Sequence, residues 1–147
     1  MDYEALRAGM AAAVPYNNHL GLEVVELGPG SAVVRLPDDE RLRNHVGSQH
    51  AAGLFAAAEA ASGGAFVAAF AERMGEIRPL TARAEIAYTK LPEGAITARA
   101  ELPDTDALLA QLDAEGAISF PVAVVLSNES GETVATATVQ WHVRKTA

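Results

Sequence analysis

The sequence of 147 residues contains no cysteine, few aromatic residues and fewer basic than acidic side chains. The absence of cysteine excludes a disulfide framework, a thiolate nucleophile and a cysteine-ligated zinc site. The 11 Lys and Arg residues against 19 Asp and Glu residues give a formal net charge of -8. This charge argues against nucleic acid as a partner, because binding to phosphates needs a basic surface.

The first 18 residues also lack the basic segment and apolar run of a secretory signal. We therefore expect a cytoplasmic protein. Half of the residues are hydrophobic, which is typical of a globular chain. The length fits one domain that spans residues 1–147.

Hydrophobic periodicity predicts the order of the elements. A helix over residues 1–15, ended by Pro15, precedes two strands that meet at the Gly28–Gly30 turn. A long apolar helix follows, and then four strands with an inserted helix at residues 104–116. In the strand after Pro79, strict alternation places Ala84 and Tyr88 on the face opposite Thr81.

The most informative stretch runs from Asn44 to Phe70, where Glu59 is the one charged residue between Ala51 and Ala71. A helix without a polar face is expected to be buried, and its Ala and Gly content argues against a membrane span. A carboxylate in such a helix is costly to desolvate without a partner. Glu59 is therefore either a structural exception or part of a site. One antiparallel sheet wrapped around this helix gives an α+β fold, whose open edge a second copy of the chain could cover.

Two segments, Leu20–Glu59 and Leu80–Gly94, resemble the hotdog-fold acyl-CoA thioesterases. The resemblance is to the branch of phenylacetate-pathway and 4-hydroxybenzoyl-CoA thioesterases in particular. It covers roughly residues 20–143 and implies a hotdog fold, an acyl-CoA substrate, no cofactor, and a homodimer or dimer of dimers. The residues that match the pattern of the family are Asn44, Gly47, His50, Glu59 and Thr81.

The resemblance also implies roles. Glu59 would be the nucleophile or general base, and the Ala51 N–H would polarise the thioester carbonyl. Asn44 would orient water or substrate, and His50 would act mainly in positioning. Thr81, expected from the other subunit, would hold the water. The family has His-Gly-Gly where this chain has His50, Ala51 and Ala52, so a side chain narrows the approach to the backbone.

Simpler interpretations stay open for each residue. Glu59 is alternatively a buried acid satisfied by backbone amides or by its counterpart across a dimer. His50 is alternatively a helix cap, Asn44 a turn residue, and Thr81 a plain strand residue. A metal site formed by His45, His50 and Glu59 is disfavoured, because nine residues separate His50 from Glu59 and place them out of phase on a helix.

The substrate would bind near Gly47, with an acyl tunnel lined by Leu54, Phe55 and Phe66. Two rival functions are a non-catalytic acyl-binding protein and a hotdog hydratase or dehydratase. The second is disfavoured because its usual Asp-His pair or His-Phe-Pro-Gly stretch is not found. Basic residues available to coenzyme A phosphates, none of them predicted as a firm contact, are Arg41, Arg43, Arg78, Arg83, Lys90 and Arg99.

Overall fold

A computed structural model describes all residues from Met1 to Ala147. Its helices are α1 (Tyr3–Ala13), α2 (Pro15–Leu20), α3 (Ala51–Phe70) and α4 (Thr105–Glu115). Its strands are β1 (Glu23–Gly28), β2 (Ser31–Leu36), β3 (Ile77–Tyr88), β4 (Ile96–Glu101), β5 (Ala117–Ser127) and β6 (Thr133–Lys145). Two short 3-10 segments, Glu40–Leu42 and Ala71–Glu76, complete the chain.

The six strands form one antiparallel sheet in the order β1-β2-β4-β5-β6-β3. The sheet curves around α3, which contacts every strand. The predicted α+β hotdog architecture is thereby confirmed. Strands β1 and β3 are the two edges, so β3 has a row of backbone groups with no strand beside it.

Helix α3 forms the centre of the core because it has no polar face. Thirteen of its residues are buried, and it packs mainly on β2 and β4. It runs without a break through Gly63 and Gly64. At Gly64 a Cβ would lie only 2.9 Å from the Ala32 side chain, so glycine permits the close approach to β2.

By length and composition alone, the helical stretch Ala51–Glu76 could cross a membrane. However, 67% of its apolar window is buried inside the domain, as is common for the core helix of a globular fold.

The first helix, α1, ends at Ala13, just before Pro15, as the sequence predicted, but the helical region continues beyond it. Pro15 opens a second helix, α2, because proline suits the first helical position, where the N–H has no helical partner. Helix α2 ends at Gly21, whose φ of 70° is left-handed. The N-terminal helical region is thus two helices, which lie against β1 and α3. The predicted insert at residues 104–116 is observed as α4, capped by Asp104 and ended by Gly116.

Strict alternation in β3 is also wrong at one point. The register of β3 against β6 shifts between Thr81 and Arg83, so Ala82 is an extra, bulged residue. The bulge turns Thr81 to the same face as Ala84 and Tyr88, toward α3. Thr81 therefore lies on the inner side of the sheet, not on the wet face.

Candidate active site

Glu59 is partly exposed on the side of α3 that faces the edge strand β3. Its Oε1 accepts a hydrogen bond from the Thr81 hydroxyl at 3.0 Å. The expectation of a deeply buried acid is therefore wrong for this chain: the carboxylate has one protein donor and remains accessible. Thr81 was expected to come from the other subunit, but the β3 bulge brings it to Glu59 within the same chain.

The N-terminus of α3 has its own set of hydrogen bonds. His50 caps the helix, with Nδ1 accepting from the Ala52 N–H at 2.9 Å. The His50 carbonyl accepts from the N–H groups of Gly53 and Leu54. The Ala51 N–H therefore remains without a partner at the positive end of the helix dipole. It is a backbone donor available to a ligand oxygen.

Tyr88 lies beside this donor. Its hydroxyl donates to the Ala51 carbonyl at 3.0 Å, which ties the end of β3 to the first turn of α3. Partial burial of the phenol raises the pKa of Tyr88, because desolvation disfavours the phenolate. Tyr88 therefore remains a neutral donor over the ordinary pH range.

Asn44 is fully used within its own loop. Its Nδ2 donates to the Ser48 hydroxyl and the Gln49 carbonyl, and its Oδ1 accepts from the N–H groups of Val46 and Ser48. Both donors and both acceptor positions of the amide are thereby occupied. The geometry matches the turn interpretation, and Asn44 has no free position for a substrate in this arrangement.

Two further residues fix that loop. Gly47 has a φ of 81°, so a side chain at this tip of the turn would be strained. Gln49 is buried and donates through Nε2 to the carbonyls of Pro37 and Gly94, at 2.8 and 2.9 Å. The loop before α3 is therefore held against two other loops, which sets the position of Ala51.

An open cavity of about 380 Å³ adjoins the helix N-terminus. Its lining residues are Asn44, Ser48, Gln49, Ala51, Tyr88, Thr89, Lys90, Leu91 and Pro92. Its volume is in the range of small-molecule sites. Glu59 and Thr81 are not among these residues.

Glu59 and the Ala51 N–H lie at opposite ends of the site. Eight residues of α-helix separate them, and a rise of 1.5 Å per residue makes this about 12 Å along the axis. A reacting carbonyl needs contacts of about 3 Å to both base and donor. The two groups of one chain therefore cannot act on the same thioester carbonyl.

The predicted acyl-tunnel residues divide into two kinds. Leu54 and Phe66 are 0% and 1% exposed and belong to the packed core. Phe66 stacks with Phe70, Phe120 and Trp141. Phe55, which is 40% exposed, is the one of the three that an incoming chain can reach without repacking.

Sequence reasoning missed Tyr88, Ser62 and Trp141 as neighbours of the predicted site. The Ser62 hydroxyl donates to the Glu59 carbonyl, and the Trp141 indole N–H donates to Ser62. A serine in an otherwise apolar helix, three residues after Glu59, was the available signal. No group of three or more His, Asp or Glu side chains is close enough together to hold a metal ion.

Known structures resemble this chain over nearly its whole length. A Pseudomonas aeruginosa protein of unknown function, described as a probable thioesterase, superposes with a TM-score of 0.87 at 25% identity, covering 97% of this chain and 95% of its own. A thioesterase family protein from Silicibacter pomeroyi gives a TM-score of 0.77 at 22% identity, covering 98% and 99%. A protein of unknown function from Chlorobaculum tepidum gives 0.84 at 16% identity, covering 97% and 94%.

No curated protein matches the sequence significantly. A family model described as a domain of unknown function, DUF4442, matches residues 3–143. The match covers nearly the whole chain, and the structural neighbours share its helix and sheet arrangement. The chain therefore belongs to the DUF4442 family and has a thioesterase-like hotdog fold.

Proposed function

We propose that the protein is an acyl-CoA thioesterase in which Glu59 acts at the thioester carbonyl. The observation that carries the proposal is the Glu59 carboxylate, the one charge on an apolar helix, held by the Thr81 hydroxyl at 3.0 Å and still accessible. The carboxylate accepts no other hydrogen bond from the protein, so it remains available to a water or a substrate. The similarity to proteins described as thioesterases supports the same reaction class.

The reaction follows from these groups. With Glu59 as base, a water attacks the carbonyl carbon, its proton moves to the carboxylate, and the carbon–sulfur bond breaks to release the coenzyme A thiolate. With Glu59 as nucleophile, a carboxylate oxygen attacks the carbonyl carbon and displaces the coenzyme A thiolate to form a mixed anhydride, which water then hydrolyses to the free acid and the regenerated carboxylate. In both routes the negative charge on the carbonyl oxygen needs a donor, and the unpartnered Ala51 N–H is suited to it.

The 12 Å separation argues for a site shared by two chains. Strand β3 meets α3 at two points, with Thr81 beside Glu59 and Tyr88 beside Ala51. Antiparallel pairing of two β3 edges about a two-fold axis between these points would bring Glu59 of one chain toward Ala51 of the partner subunit. The same pairing would satisfy the open edge of the sheet. We propose this homodimer as the active form.

Coenzyme A also needs contacts away from the carbonyl. The cavity beside Ala51 is the proposed entry for its pantetheine arm, and Lys90 is the cation on its wall. Lys90 forms an ion pair with Glu132 at the surface, so a coenzyme A phosphate would have to displace the Glu132 carboxylate. Membership of the phenylacetate and 4-hydroxybenzoyl-CoA branch remains a prediction, and activity on phenylacetyl-CoA and benzoyl-CoA tests it.

Free thiol release from a panel of acyl-CoAs, from acetyl to palmitoyl plus phenylacetyl and benzoyl, tests the function. We expect Glu59→Ala and the isosteric Glu59→Gln to lower kcat by about 10²–10⁴. Glu72→Ala, at the exposed far end of the same helical stretch, is the matched control and should keep the wild-type rate. Wild-type turnover by Glu59→Ala would refute the assignment. Tight acyl-CoA binding without turnover would favour the non-catalytic binding protein instead.

A further inference from the structure

Ser62 is an unusual residue for its place in the core. It is 0% exposed, in a helix whose other buried residues are apolar. Its hydroxyl donates to the Glu59 carbonyl at 2.7 Å and accepts from the Trp141 indole N–H at 3.1 Å. Packing alone would be served by alanine, which fills most other core positions of α3. Serine supplies here what alanine cannot, an acceptor for the buried Trp141 N–H and a donor to the Glu59 carbonyl.

Trp141 connects this hydrogen bond to the sheet. It lies on β6 directly opposite Thr81 of β3, next to the β3 bulge. Its ring stacks on Phe66 with 5.2 Å between centroids, and a Cβ on Gly63 would lie 3.5 Å from it. The indole is thus fitted against the helical turn that follows Glu59.

Two paired residues of the sheet, Thr81 and Trp141, therefore both constrain Glu59. Thr81 binds its carboxylate, and the opposite residue, Trp141, binds its backbone carbonyl through Ser62. Apart from the Tyr88 hydrogen bond to the Ala51 carbonyl at the far end of the site, the remaining contacts of α3 with the sheet are apolar and non-directional, so they set the position of the Glu59 turn less exactly. A directional buried hydrogen bond is suited to define the helix position relative to a side chain on the sheet.

We propose that Ser62 and Trp141 are positioning residues for Glu59, which keep its carboxylate in register with Thr81. This inference rests on the proposed role of Glu59 in hydrolysis. Neither residue touches the substrate; each acts through the turn of α3 that carries the carboxylate. Small displacements of a reacting group are costly, and about 1 Å can lower a rate by about 100-fold.

The test compares Ser62→Ala, Trp141→Phe and the double variant with wild type, using acyl-CoA hydrolysis and thermal unfolding. Ser62→Ala leaves the buried Trp141 indole N–H without its acceptor, and Trp141→Phe removes that donor and leaves space beside Phe66, so each single variant should have a lower melting temperature. The double variant has no unpaired indole N–H, so it should melt at about the same temperature as Trp141→Phe alone. Leu112→Ala, a core variant on α4, controls for general destabilisation.

We expect kcat to fall about tenfold in both single variants and to stay about tenfold low in the double variant, with KM within about twofold throughout. At assay temperatures well below the melting temperature of Leu112→Ala, this variant should have the wild-type kcat. A double variant with wild-type kcat would refute the positioning role while leaving the Glu59 chemistry intact. Hydrolysis that survives Glu59→Ala would refute the proposed function, and the positioning role with it.

Discussion

Ala51→Pro is a sharp test of the oxyanion donor because it removes one N–H and little else. Ala51 is the first residue of α3, where proline is well tolerated, and its N–H has no partner in the fold. His50 has φ -68° and ψ 139°, the extended conformation that a residue before proline requires. Loss of one oxyanion donor lowers kcat by about 10²–10³, equivalent to about 2.7–4 kcal/mol.

Although Ala51→Pro should lower kcat, it should leave the stability of the fold unchanged or slightly increased. Proline at a position with a compatible conformation restricts the unfolded chain, which raises the free energy of unfolding by about 0.4–1 kcal/mol. We therefore expect an unchanged or slightly higher melting temperature with a rate reduced at least about 100-fold. Steady-state thiol release and thermal unfolding on the same sample measure both. A wild-type rate in Ala51→Pro would show that this N–H does not serve the reaction.

Subunit mixing extends the test to the shared site. A dimer of one Glu59→Ala chain and one Ala51→Pro chain has one intact site, composed of Glu59 from one chain and Ala51 from the other. Such mixed dimers, purified with two different tags, should recover about half of the wild-type activity. A mixture of Glu59→Ala with Thr81→Val should recover nothing beyond the residual rate of Thr81→Val, because those two residues come from the same chain. Equal failure of both mixtures would refute the two-chain site.

Three further changes test the site and the fold. Thr81→Val, which keeps the side-chain shape, should lower kcat about tenfold, near 1.4 kcal/mol, with KM unchanged in steady-state assays. Arg73 and Lys145 hold the pKa of Asp113 well below its usual range. A carboxylate whose pKa is lower in the folded than in the unfolded state stabilises the fold at pH values above its unfolded pKa of about 4, and this stabilisation is lost as pH falls through the folded pKa. The melting temperature of Asp113→Asn should therefore be lower than that of wild type at pH 7, and the two melting temperatures should converge in acid. A constant difference from pH 7 to pH 2 in circular dichroism melts would contradict that reasoning. Leu112→Ala, at a fully buried position, should lower the free energy of unfolding by about 2–5 kcal/mol. Urea titrations followed by tryptophan fluorescence measure this change, and a loss below about 1 kcal/mol would contradict the core role of Leu112.

Much of the fold could be predicted because local patterns and tertiary structure agree. The alternation of β5 and β6 places Phe120, Val122, Val139 and Trp141 in the core, and all four are buried. The insert predicted at residues 104–116 was equally reliable, since Asp104 and Gly116 bound α4 through local hydrogen bonds. Such features depend on residues a few positions apart, which a single sequence contains directly.

The errors arose where distant contacts override local patterns. The predicted end of the first helix at Pro15 was correct, but Pro15 also opens α2, which packs on α3 and was not predicted. Thr81 faces α3 because a bulge at Ala82 shifts the register against β6, and no local signal for that bulge was recognised.

The sequence by itself determined that the chain has one apolar central helix with a single carboxylate, because residue types and their spacing follow directly from the order of amino acids. The tertiary structure alone decided what surrounds that carboxylate. Thr81 and Trp141 reach Glu59 and its helical neighbour Ser62 only through the pairing of β3 with β6 and the packing of α3 on the sheet. These are contacts between residues up to 79 positions apart, which form through long-range strand pairing and not through local conformational preference.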